Sequence, residues 1–260
     1  MRQSGLRCTF SYMEQPHPQP PAVKAPAEKK KKLPARKDLL SHLVLAAPVF
    51  LIYHLGLLVS PLAANGADPV TRGMGYLAGL STLVYLIVMG ALICGYVILV
   101  RYLSRKKKFN ARRFPLVLGE GLLYALVMGP LTNLLLQKVH VLSDAIVRMG
   151  PIDRIVASAG AGFYEELIFR LAGISLIVWL IGTKKLKRWI VVAIAVGITS
   201  IIFSAVHYIG PGSDSFEIGS FAFRLVLGGM LALIYLLRGF GTAVYAHFLY
   251  DVYVMCFLMA

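Results

Sequence analysis

The stretch GAGFYEELIFRLAGISLIVWLIG, residues 160–182, decides what kind of fold this chain can adopt. It is long enough to cross the roughly 30 Å hydrocarbon core of a bilayer, and it carries no charge apart from Glu165, Glu166 and Arg170. A helix that is apolar all round needs a large protein core or lipid around it. Comparable apolar windows fall at about 39–59, 74–100, 116–136, 189–209, 216–237 and 240–259, which with 155–181 makes seven. The fold expected is therefore all-α, a polytopic transmembrane bundle of about seven spanning helices. Composition agrees, since 58% of the 260 residues are hydrophobic and only 15% are charged, against about 25% charged in soluble domains.

The net charge of +15 suggests nucleic acid until the basic residues are placed. Nine precede the first span, from Arg2 to Lys37. Seven follow the second (Arg101, Arg105, Lys106, Lys107, Lys108, Arg112, Arg113), four follow the fourth (Lys184, Lys185, Lys187, Arg188), and Arg238 follows the sixth. So 21 of the 27 lie in alternate connections on one side, against four (Arg72, Lys138, Arg148, Arg154) on the other. The positive-inside rule makes that side, and the N-terminus, cytoplasmic. The run RKKKFNARR, residues 105–113, is expected to orient the helices and to meet anionic lipid headgroups. No nucleic-acid partner is expected.

Residues 1–38 are rich in Pro and Lys and cannot bury enough apolar surface to fold, so they read as a disordered, basic cytoplasmic arm before a transmembrane domain at 39–260. They lack the apolar core of a cleaved signal peptide. Cys8, Cys94 and Cys256 match no metal-binding spacing and read as isolated thiols. Stretch 137–154 reads as a connection or an interfacial helix.

The ionisable residues inside apolar windows are few: Glu120, Glu165, Glu166, Arg170, His207, Arg224, His247 and Asp251. Each is costly in lipid and is expected to be functional or paired within the bundle. Glu166 and Arg170 stand four apart and share a helix face, so they are expected to form an ion pair. Glu165, about 100° round an α-helix from its neighbour, is expected to point elsewhere and stay free as a general base. His207 follows Phe203 by one turn, and His247 and Asp251 lie one turn apart. Two imidazoles with carboxylates suit a divalent metal such as zinc; alternatively, they hold water and a tetrahedral oxyanion directly. His42 and His54 read as interfacial residues. Glu120 is expected either to line the same cavity or to pair with Arg224.

EELIFR at 165–170, FSAVH at 203–207 and HFLYD at 247–251 resemble the EExxxR, FxxxH and HxxxN/D motifs of the CPBP family, the CAAX proteases and bacteriocin-processing proteins. Order and spacing fit over about residues 114–258, which would be the catalytic part. The resemblance implies an intramembrane endopeptidase of the metalloprotease type, acting on a membrane-associated peptide or protein in a bacterial plasma membrane. By motif position, Glu165 is the expected water-activating base and His207 and His247 are its water- or metal-positioning partners. Glu166 and Arg170 are the supporting pair and Asp251 the fourth site residue. Glu165, His207, His247 and Asp251 are the expected metal ligands, with zinc the expected ion. Asp251 stands where the prenyl endopeptidases usually carry Asn; an ionised Asp cannot donate a hydrogen bond, which favours a metal-binding or His-orienting role.

Two other readings stay open, a transporter and a catalytically idle membrane scaffold; no inverted repeat supports the first. Depth raises a geometric question. At about 1.5 Å per residue, Glu165 and His207 lie roughly 24–27 Å from the cytoplasmic ends of their spans, His247 only about 10 Å and Asp251 about 16 Å. Convergence requires the Gly239-Phe240-Gly241 turn to dip into the membrane, shifted span ends, or tilt.

Overall fold

A computed structural model describes residues 39–60, 63, 82–105, 112–136, 149–182, 186–209 and 214–258. These form seven helices and no strand among the described residues. α1 is Leu39–Gly56, α2 Thr82–Ser104 and α3 Arg113–Leu136. α4 runs without a break through Pro151–Gly160, Ala161–Ile174 and Ser175–Ile181. α5 is Arg188–Val206, α6 is Ile218–Arg238, and α7 is Phe240–Tyr253, continued by Val254–Leu258. Each of the seven expected windows holds one helix, and all lie in the compact unit Lys32–Ala260. Five segments are long and apolar enough to cross a membrane: Leu86–Ser104, Arg113–Thr132, Arg188–Val206, Ile218–Arg238 and Phe240–Leu258. The arm at 1–38 and stretch 137–148 lie outside the described residues.

Boundaries within the described residues move by up to four residues, most at α2 and α4. α2 ends at Ser104 rather than at 100, because Arg101 continues the helix with its side chain exposed. α4 starts at Pro151, so 151–154 belong to it and not to the preceding connection. Pro151 suits a first helical position, where its missing N–H costs nothing. The Gly150 N–H donates to the Asp153 carboxylate at 3.1 Å, satisfying a helix-end donor. Arg154 then donates to the Met255 carbonyl at 2.6 Å, tying the start of α4 to the end of α7.

α7 is the axis of the bundle. Every residue from 240 to 248 is buried, against α3, α4, α1 and α6. In lipid no hydrophobic force drives helices together, so close approach through small residues does. A Cβ at Gly121 of α3 would stand 2.6 Å from Tyr245 Cβ, and one at Gly162 of α4 would stand 2.8 Å from the Phe248 backbone nitrogen. α2 lies at the periphery with most of its side chains exposed, as a lipid-facing helix should.

Candidate active site

The middle of α4 is not an ordinary α-helix. Over Ala161–Ile174 its backbone follows the wide i→i+5 pattern of a π-helix, a rare geometry found mostly at functional sites. A wider turn takes more residues per revolution, so consecutive side chains are separated by less than the roughly 100° of an α-helix. Glu165 and Glu166 consequently reach the same partner, where the α-helical reading separated them.

That partner is His247. Its Nδ1–H donates to Glu166 Oε1 at 2.9 Å, while its Nε2 faces Glu165 Oε2 at 3.8 Å and Asp251 Oδ2 at 3.5 Å. One imidazole thus has a carboxylate on each ring nitrogen and a third one turn along its own helix. The expectation of a free Glu165 is corrected: it is buried beside His247. Glu166 also pairs with Arg170, Oε2 to Nε, at 3.3 Å, as its spacing required. Glu166 and Arg170 are essentially inaccessible at 0% and 1% exposure, so neither charge is relieved by solvent. Arg170 Nη2 donates to the Gly228 carbonyl of α6 at 3.2 Å.

His207 stands apart from this group. Its Nδ1–H donates to the Phe203 carbonyl at 2.8 Å, capping the last turn of α5. The Phe203 ring contacts both imidazoles, its centroid 5.2 Å from that of His207 and 6.0 Å from that of His247. The depth question has a corresponding answer. Gly239, with φ 101°, packs on His42, and Gly241 packs on the His42 carbonyl and Leu45. The turn thus packs closely against α1, and His247 meets Glu165 and Glu166 of α4 directly.

The expected zinc set can be tested on this arrangement. Among the described residues no three His, Cys, Asp or Glu side chains are grouped so as to hold an ion. Glu165 and Asp251 gather about His247, whereas His207, although its Nδ1–H bond to the Phe203 carbonyl leaves Nε2 available, is not grouped with them. The set as placed does not fit a zinc centre.

Other buried polar groups were only partly legible. Glu120 pairs with Arg238, Nε to Oε2 at 2.9 Å and Nη2 to Oε1, and not with Arg224. Arg224 instead pairs with Asp214 and donates to Tyr208 and Ser220 at 2.8 Å each. His54 is not interfacial: it is fully buried, and its Nε2 lies 2.8 Å from the Tyr164 hydroxyl, next to Glu165. Its aromatic neighbours Phe50 and Tyr53 on α1 were the signal available for that burial.

A multi-pass helical bundle that shelters carboxylates, imidazoles and a guanidinium at its centre is an integral membrane protein built to do work inside the membrane. Residues 149–253, which contain all three motifs, match the family model described as Rce1-like, type II CAAX prenyl endopeptidase. The matched model is that of the family the three motifs resemble, and over these residues the chain is similar to a CAAX-protease-type endopeptidase. No curated protein and no solved structure matches the chain.

Proposed function

We propose that the protein hydrolyses a peptide bond of a membrane-associated protein or peptide with water activated by Glu165. The observation that carries this reading is the bracketing of His247. Glu166 holds Nδ1–H at 2.9 Å and fixes the ring, while Nε2 faces two carboxylates at 3.8 and 3.5 Å. At those separations Nε2 makes no close hydrogen bond to either carboxylate, so it can hold a water alongside Glu165. Held there, a water gives a proton to Glu165 as it attacks the carbonyl carbon. Glu165 then returns that proton to the departing amine, so one carboxylate serves as base and acid. His247, doubly protonated, donates from Nε2 to the oxyanion; Asp251 orients it. By motif position His207 is proposed as a further water-positioning partner. A prenylated CaaX tail, named in the matched family's description, is the first substrate to try; a bacteriocin leader or a sorting tail is the next.

Glu165→Ala and His247→Ala should each abolish processing of a co-expressed prenylated CaaX substrate while leaving membrane insertion intact. Full processing by either variant overturns the reading. We propose the metal-free form, with zinc as the alternative. Cleavage that survives exhaustive chelation supports the first, and loss restored by added zinc supports the second. The bacterial plasma membrane, a cytoplasmic N-terminus and anionic headgroups as partners of the basic connections complete the proposal.

A further inference from the structure

Arg170 is the largest fully buried side chain among the described residues, and its hydrogen bonding is incomplete. Of its five N–H donors, Nη2 reaches the Gly228 carbonyl and Nε lies against Glu166, but Nη1 is buried with no hydrogen-bond acceptor. A guanidinium removed from water needs further stabilisation. The Phe203 ring supplies it: the Arg170 Cζ stands 4.4 Å from the ring centroid, within cation–π range. The ring is itself held in place. Phe203 is 2% exposed, Phe169 meets it edge-on at 5.5 Å, and Gly228 lies so close that a Cβ there would stand 2.9 Å from Phe203 Cδ1. Gly228 thus seats the ring with its bare Cα and accepts from Arg170 with its carbonyl.

From the guanidinium the contacts lead inward. Arg170 fixes Glu166, Glu166 holds Nδ1–H of His247, and His247 presents Nε2 to Glu165 and Asp251. The Phe203 ring also meets both imidazoles directly, at 67° to His207 and 68° to His247. We infer that Phe203 is a positioning residue whose π face, seated on Gly228, holds Arg170 and through it the orientation of the His247 imidazole. The inference rests on the hydrolytic reading above and adds to it a residue that acts by ring electrostatics and touches no reacting atom. Van der Waals filling of the core explains an apolar side chain at 203; it does not explain a ring face centred under a guanidinium that lacks one acceptor.

The test separates ring electrostatics from ring volume. Phe203 is replaced in the full-length protein, reconstituted in liposomes, by phenylalanines carrying one, two and three ring fluorines, which drain the π face with little change of shape. Cleavage of a farnesylated CaaX peptide and thermal unfolding are followed for each. Cleavage kcat should fall stepwise with fluorination, by about 5- to 30-fold over the series, the span a desolvated cation–π contact is worth, with KM little changed. Unfolding temperature should fall in parallel. Phe203→Trp, which keeps a π face, should retain more activity than Phe203→Leu at matched expression. A fall in unfolding temperature with flat kcat makes the ring a packing element and overturns the positioning role. Flat responses in both overturn the contact itself. If the unsubstituted protein cleaves neither this peptide nor a bacteriocin-leader or sorting-tail peptide, the hydrolytic reading fails and the positioning role with it, while the unfolding series still reports separately on the Arg170 contact.

Discussion

At the residue scale, the cluster's stability and its chemistry lie on different members. Glu166 is the structural carboxylate: it faces Arg170 at 3.3 Å and His247 at 2.9 Å with no exposed surface. Removing one partner of a buried pair strands the other charge, which costs about 3–5 kcal/mol. Glu166→Leu should therefore lower unfolding stability in detergent by about that much, and Glu166→Leu with Arg170→Leu should recover much of it; equal stability of the single and double variants contradicts the pairing. Glu165→Gln should behave oppositely, keeping the fold and losing at least about 100-fold in cleavage rate, the range for a lost acid–base group. The motif spacing made the Glu166–Arg170 pair legible because i and i+4 meet on nearly any helix. It did not make Glu165 legible, because its direction depends on residues per turn, and no letter in GFYEELIFR announces i→i+5 bonding.

At the element scale, the site depends on how closely α7 approaches α4. Gly162 sets that distance, since a Cβ there would lie 2.8 Å from backbone as well as side chain of Phe248. Backbone cannot swing aside as a side-chain tip can, so Gly162→Ala must push α7 outward and draw His247 from Glu165. Overpacking of this kind costs about 1–3 kcal/mol, and cleavage should fall further than stability because the contact displaced is the reactive one. Gly197 on α5 has nothing within 4 Å of the Cβ position, so Gly197→Ala should leave both quantities unchanged. Comparable losses from the two substitutions would show that the interhelical distance at Gly162 does not govern the site, since alanine itself favours a helix over glycine. The seven helices were visible as hydropathy windows, but the windows hold no information on depth. The close packing of Gly239 against His42 is set by a positive φ and a tertiary contact, and hydropathy treats that turn as the end of a span.

For the molecule as a whole, charge and burial prescribe an orientation. The connections after α2 and α4 are basic, whereas the segment leading into α6 carries Asp214 and Glu217. Asp214 is paired with Arg224, so its charge is offset locally and does not change the asymmetry between the connections. Arg238 and Glu120 neutralise each other near the C-terminal end of α6, but Arg238 is 48% exposed. Such a pair contributes at most about 1 kcal/mol, so orientation rests on the clustered lysines and arginines. Ser104, at the end of α2, and Ser215, just before α6, are both exposed and should face opposite compartments. In a protein whose three native cysteines are replaced, Ser104→Cys should react with a membrane-impermeant maleimide only in inside-out vesicles, and Ser215→Cys only in right-side-out vesicles. Labelling of both from one face would break the alternation on which the seven-span count depends. Reversed labelling would keep the count and put the basic connections outside, where anionic headgroups are not expected to hold them.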